Sequence, residues 1–169
     1  METKILILVS VMKDRIIEES IKSLREEGLK FSVDTLSLRL KISKKTVYKY
    51  FPTKEALAYA VYERFYLNLL AQAEKAVNLP AERAVKELLS LYYQSCLMVR
   101  DEIFNKYALN APVKNFADAK HGLLWKKIGN YIEKDAQYVK AITDGAFRLA
   151  ATEGIRADGI IDKLAVIIC

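Results

Sequence analysis

Ile42-Ser43-Lys44-Lys45-Thr46-Val47-Tyr48-Lys49-Tyr50-Phe51-Pro52-Thr53-Lys54-Glu55-Ala56-Leu57 is the stretch that decides the fold. Ser43 is a good N-cap, because its hydroxyl can accept from the first free backbone N–H groups, and Pro52-Thr53 stops one helix and starts the next. Between them Lys44 to Tyr50 reads as a short helix in which Val47 and Phe51 point one way. Lys45, Tyr48 and Lys49 share the opposite side at i, i+3 and i+4. The sixteen residues from Arg39 to Lys54 also hold Arg39, Lys41, Lys44, Lys45, Lys49 and Lys54 with no acid among them. Lys44 and Lys45 fall in the first turn, where the macrodipole favours acids, so each opposes it by about 0.3 to 1 kcal/mol unless a polyanion is present. Helix N-termini such as those at Lys44 and Lys54 also offer free N–H groups to phosphate. Ser43, Thr46, Tyr48, Tyr50 and Thr53 alternate with the lysines and can donate to phosphate oxygens, which an ordinary solvated helix face need not do.

Toward the N-terminus, Met12 to Glu27 places Ile17, Ile21, Leu24 and Gly28 at helical spacing, with Asp14, Arg15, Glu18, Glu19, Lys22, Arg25 and Glu26 on other faces. That predicts a first helix stopped at Gly28. Ser32, after Phe31, caps a second short helix from Val33 to about Leu40 that buries Val33, Leu36 and Leu40. A break at Lys41 and Ile42 leads into the basic helix. Two short helices joined by a tight turn, the second bearing exposed lysines and hydroxyls, describe a helix-turn-helix whose second helix enters the major groove. The charge agrees: residues 1–54 carry 12 Lys and Arg against 7 Asp and Glu, a net +5, while the rest of the chain adds only +1 to the total of +6.

Downstream, Leu57, Val61, Phe65 and Leu69 at i+4 steps give a long helix from Lys54 to about Asn78. Pro80 breaks the chain, and Ala81 to about Arg100 carries Leu88, Leu91, Tyr92, Cys96 and Val99 at helical spacing. A short helix around Glu102 to Leu109 precedes Pro112, and one or two more follow between about Phe116 and Glu153. Gly154 to Gly159 reads as a turn, and Ile160 to Ile168 as a final apolar helix. No window sustains period-2 alternation, so the expected fold class is all-α, with about eight or nine helices.

Composition excludes several classes. With 169 residues, 52% apolar and 28% charged, and only 6 Gly and 3 Pro, the chain is neither collagen-like nor disordered. Cys96 and Cys169 show no CxxC or Cys/His spacing, so neither a disulfide framework nor a zinc site is supported, and a reducing cytoplasm is the expected compartment. The longest apolar run, Ile5 to Met12, is eight residues with a serine inside, far below the roughly 18 to 20 needed to cross a bilayer. No membrane partner is expected, and residues 1–11 read as an extension upstream of a helix that starts at Met12. His121 is the only histidine, and GxSxG, HExxH, GxGxxG and phosphate-loop patterns are missing. The expectation is no enzyme, no metal and no cofactor.

Ile16 to Tyr66 resembles the N-terminal domain of the tetracycline-repressor-like (TetR) transcriptional regulators. Residues 42–57 are similar to the family's V-S-x-x-T-L-Y-x-[HY]-F-x-[ST]-K-E-x-L signature, and Glu27-Gly28 with Phe31-Ser32-Val33 to its E-x-G…[FY]-[ST]-hydrophobic approach to helix two. Ser37 and Leu40 stand where small alanines are usual, and Lys41 replaces the common turn glycine, which implies a positive φ there. The resemblance implies a helix-turn-helix DNA-binding domain over residues 12–53 and a helical effector-binding and dimerisation domain over 54–169, with 54–78 as the connecting helix. It also implies that Lys44, Lys45, Thr46, Tyr48 and Lys49 face DNA while Ser32, Tyr50 and Lys54 grip phosphate at the flanks. For Tyr50 the alternative is a ring that mainly packs.

The C-terminal part is not diagnostic. Tyr92, Cys96, Phe104, Tyr107, His121 and Trp125 are the candidate ligand pocket, and the same stripe also reads as plain core. Leaving Ile160, Ile161, Leu164, Val166, Ile167 and Ile168 in water costs about 25 cal/mol per Å² of apolar surface, so they are expected to bury against a second copy. The alternative is that they complete the monomer's core. The function implied is a homodimeric repressor that binds a near-palindromic operator in double-stranded DNA and leaves it when a small-molecule effector binds. The alternative is an effector-independent, architectural DNA-binding protein.

Overall fold

A computed structural model of the chain describes residues 2–27, 32–99, 111–133 and 135–169. Among the described residues there are eight helices and no strand: α1 (Glu2–Glu27), α2 (Val33–Leu40), α3 (Lys44–Tyr50), α4 (Lys54–Ala76), α5 (Ala81–Met98), α6 (Ala111–Gly129), α7 (Ala136–Glu153) and α8 (Ala157–Ile168). The fold is all-α. The stop expected at Gly28, the approach at Phe31 and the helix expected around Glu102 to Leu109, with Phe104 and Tyr107, lie outside the described residues.

Three helix starts differ from the sequence reading. Helix α1 begins at Glu2 rather than Met12, since no Gly or Pro interrupts residues 2–12. Helix α6 begins at Ala111 and takes Pro112 into its first turn, where the missing N–H would have had no intrahelical partner. Helix α8 begins at Ala157 rather than Ile160: Asp158 in its first turn suits the helix dipole, and Gly159 continues the helix instead of ending a turn.

The chain forms two compact units, Met1–Phe65 with Asp101–Lys114, and Tyr66–Arg100 with Asn115–Cys169. In the first, α1 packs on α2 and α2 on α3. Their core is Ile16, Ile17, Ile21 and Leu24 of α1, Leu36 of α2 and Val47 of α3, joined by Phe51, Leu57, Val61 and Phe65. Capping fixes the short elements. Thr35 N–H donates to Ser32 Oγ at 3.1 Å, Thr46 N–H to Ser43 Oγ at 3.0 Å, and Ala56 N–H to Thr53 Oγ1 at 3.1 Å. Lys41 ends α2 in the left-handed region at φ 55°, as the resemblance implied, and Ile42 N–H reaches back to Ser37 O at 3.0 Å. Arg39 binds Glu19 and Glu26 of α1, and Arg64 binds Asp14 and Glu18, so α1's acidic residues anchor its neighbours.

In the second unit α5 packs against α7 and α8, and α7 against α8. Leu88, Leu89, Leu91 and Tyr92 of α5, Leu124 and Ile128 of α6, Phe147 of α7 and Ile161, Leu164 and Ile168 of α8 are buried together. Gly154 supplies the left-handed residue, at φ 66°, that closes α7. Helix α8 divides the apolar set that the sequence assigned to a second copy. Ile161, Leu164 and Ile168 are buried within this chain, whereas Val166 and Ile167 are 77% and 59% exposed.

Candidate nucleic-acid interface

Helix α3 is one short amphipathic element with a buried and an open side. Val47 is fully buried, and Phe51, just past the helix end, is buried beside it. Lys44, Lys45 and Lys49 are exposed, and Tyr48 keeps 37% of its surface in solvent. Ser43, Lys45, Thr46, Tyr48 and Lys49 line an open concavity of about 500 Å³ on this side. Ser43 and Thr46 share a hydrogen bond at 2.9 Å, and Ser43 already accepts the Thr46 N–H, so the cap and the open face are one construction. Thr46 and Tyr50 are half-buried at the edge of the face, Ser32 is half-buried at the start of α2, and Lys54 is exposed at the start of α4.

Two basic residues of the patch have partners within the chain. Arg39 is committed to Glu19 and Glu26, at 3.2 and 3.1 Å, which makes it a clamp on α1. Lys44 pairs with Asp34 in the first turn of α2. The sequence reading missed both pairs; Asp34 lies ten residues before Lys44, too far for any helical spacing rule to link them. Lys45 and Lys49 carry no ion pair among the described residues, and no acid lies on α3 to offset them.

Residues 16–61 match the family model of the bacterial regulatory proteins, tetR family. The match covers a little over a quarter of the chain, the part that holds α2, α3 and the turn between them. It is 27% identical over 135 residues to the uncharacterized HTH-type transcriptional regulator YvaF of Bacillus subtilis (strain 168), a match covering 78% of this chain and 65% of that relative. The crystal structure of superantigen PfiT shares the fold, with a TM-score of 0.62 at 15% identity over 92% of this chain and 94% of that one.

The second unit brings four of the six candidate pocket residues together, Phe104 and Tyr107 lying outside the described residues. His121 stacks on Tyr92 with ring centroids 4.4 Å apart, and Trp125 lies 5.3 Å from Tyr92. Cys96 stands one turn beyond Tyr92 on α5, and burial, with the Asp144 carboxylate adding, pushes its thiol up to about 12. Such a thiol is protonated and inert.

The sequence reading missed the polar groups that organise these rings. Tyr66 Oη and Ser95 Oγ share a hydrogen bond at 2.8 Å, and Ser95 Oγ and His121 Nδ1 share another at 2.7 Å. Tyr92 Oη donates to Asp144 at 2.8 Å, and Lys140 Nζ donates to Asp144 at 2.5 Å and to Tyr92 Oη at 3.2 Å. Burial, then the hydrogen bond to Asp144, raises Tyr92 far above the ordinary phenol range. Burial, with Lys140 adding, holds His121 down at about 4, a neutral ring at physiological pH. Only the Lys140/Asp144 pair, at i and i+4, left a trace in the sequence.

Proposed function

We propose that this chain is a sequence-specific DNA-binding regulator of transcription that acts as a homodimeric repressor and leaves its operator when a small molecule binds the C-terminal unit. The open face of α3 carries the reading. Lys45, Tyr48 and Lys49 project from a capped helix with no acid on it, the chemistry that suits base edges and phosphates of a major groove. On this reading Thr46 extends that face, Ser32, Tyr50 and Lys54 contact phosphates at its flanks, and Lys44 joins them once Asp34 lets go. No helix among the described residues is long and apolar enough to cross a membrane.

The exposed apolar surface of α7 and α8 supports a homodimer. Tyr138, Ile142 and Leu149 follow one face of α7 at i, i+4 and i+11, and Val166 and Ile167 stand out from α8. Apolar groups of this size left in water mark an interaction surface. Two copies would present their α3 helices to half-sites about 34 to 36 Å apart or a multiple of that. An effector coupled to that geometry by about 1 to 3 kcal/mol changes operator affinity some 5- to 150-fold.

The test is fluorescence anisotropy on duplexes selected from random sequence, across a salt series, with Lys45→Ala and Tyr48→Ala alongside. Selective binding with a steep negative salt slope, weakened in both variants, is the expected result. Binding indifferent to sequence and to both substitutions overturns the reading. Ile167→Glu is expected to give a monomer in light scattering where the parent is a dimer.

An effector-independent DNA binder is favoured by one observation: Tyr92 and Phe147 are fully buried and their neighbours satisfy one another. Native mass spectrometry separates the two. A co-purified metabolite supports the repressor, and its absence with constant operator affinity supports the alternative.

A further inference from the structure

We propose that Trp125, Tyr92 and Asp144 form a binding site for a weakly hydrated organic cation, of the quaternary ammonium class, which the Lys140 ammonium fills in the absence of ligand. The inference deepens the effector reading and rests on it for its regulatory role, though not for binding itself.

Lys140 Nζ lies over two rings, 5.5 Å from the centroid of Trp125 and 5.9 Å from that of Tyr92, within the range of cation–π attraction. The two ring planes meet at 52°, so they make a corner rather than a flat wall. Asp144 supplies a full negative charge at that corner and Tyr92 Oη a further acceptor, the combination of π faces and carboxylate that recognises an alkylated ammonium. The corner is braced from elsewhere. His121 stacks on Tyr92, Ser95 fixes His121, and Phe147 packs 6.3 Å from the Tyr92 ring. Helices α5, α6 and α7 each contribute one wall.

Lys140 is an occupant of this corner rather than part of its frame. Its side chain is 39% exposed and that of Asp144 33%, and an i,i+4 pair between partly exposed groups is a weak one. The flexible four-carbon stem can swing out to solvent. A primary ammonium is strongly hydrated and gains least from the rings, whereas a quaternary ammonium has no N–H to satisfy and lays its methyl groups against them. Such a cation displaces Lys140; sodium, compact and hydrated, does not. Until it arrives, Lys140 keeps the carboxylate beside buried Tyr92 paired.

Trp125 is the only tryptophan, so the intrinsic fluorescence of the full chain reports the site directly. Tetramethylammonium chloride is titrated into the parent protein, Lys140→Ala and Lys140→Met at constant ionic strength, with sodium chloride and tert-butanol as controls. The expected result is a saturable change in emission with tetramethylammonium alone, with Kd about tenfold lower in both Lys140 variants, equivalent to about 1.4 kcal/mol. Asp144→Asn is expected to abolish it; should that variant fail to fold by circular dichroism, the Lys140 series and the tert-butanol control still decide. No saturable change in either Lys140 variant, or the same change with tert-butanol, overturns the proposal. The titration contains no DNA, so the two readings fail separately: binding that leaves operator affinity unchanged removes the effector role, and a silent corner in a repressor released by another ligand removes the cation site.

Discussion

On α3, Lys45 and Lys49 stand in solvent without an acidic partner and hydroxyls are spent on capping at the surface, whereas in the C-terminal unit Tyr66, Ser95, His121, Tyr92, Asp144 and Lys140 pass hydrogen bonds among themselves around a buried ring. Both regions are rich in the same residue types, yet the physical demand on them is opposite. A buried polar group must find its partner inside the chain, because an unmet donor or acceptor costs about 1 to 3 kcal/mol, and that need pins neighbouring helices to one arrangement. An exposed cation has no such obligation. It can leave its charge unpaired for a partner that the folded chain does not contain. The first region is therefore free to meet an outside partner, DNA on the reading proposed above, while the second answers to its own packing, and substitutions should sort accordingly.

The largest expected effect tests that sorting. Phe147 is fully buried among Tyr92 and Tyr93, so Phe147→Ala should lower stability by about 3 to 5 kcal/mol in urea unfolding. Tyr48→Ala should change stability by no more than about 0.5 kcal/mol while weakening operator binding. Similar stability losses in the two variants would break the contrast.

Acid titration sharpens it. His121 sits at about 4 against an ordinary 6.5, so between those values the unfolded chain holds the proton that the folded one refuses. The stability that neutral His121 contributes is complete above pH 6.5 and falls as pH drops toward 4. Allowing for partial exposure of the ring, the loss is about 2 kcal/mol. Urea curves at pH 7 and 4.5 for the parent and His121→Gln measure it, and the variant should lose that much less on acidification. On α3 the comparable probe is salt: Lys45→Ala should cut the slope of log K against log salt by about 1 with little change in the unfolding midpoint.

The same contrast explains what could be read from the sequence. Helices α2 and α3, their serine caps and the outward face of α3 are set by residues within four or five positions of one another, and periodicity and capping rules see that far; the left-handed Lys41 came from the resemblance, through the turn glycine it replaces. The hydrogen bonds from Ser95 to Tyr66 and His121 span 29 and 26 residues and that from Tyr92 to Asp144 spans 52, so no spacing announces them. The partners of Arg39 were hidden for the same reason: its acids lie on α1, 20 and 13 residues away. Helix α8 shows a halfway case. Its hydrophobicity was plain, but an apolar residue reads the same whether it meets its own core, as Leu164 does, or solvent, as Val166 does.

Lys41 belongs to the local, legible side and carries the smallest effect. A non-glycine residue in the left-handed region costs about 1 to 2 kcal/mol, and glycine there gives back about half of that gain through its extra freedom when unfolded. Lys41→Gly should therefore stabilise the protein by about 0.5 to 1 kcal/mol, raising the midpoint of thermal unfolding by roughly 1 to 4 °C. It also removes one exposed cation next to the proposed DNA-contacting face, so operator affinity should fall a few-fold with a shallower salt slope. The two effects have opposite signs, and together they test whether the lysine is retained at a strained turn for its charge. A variant that is more stable and binds DNA as well as the parent would reduce Lys41 to a turn residue and narrow the proposed phosphate contacts to Lys45, Lys49 and Lys54.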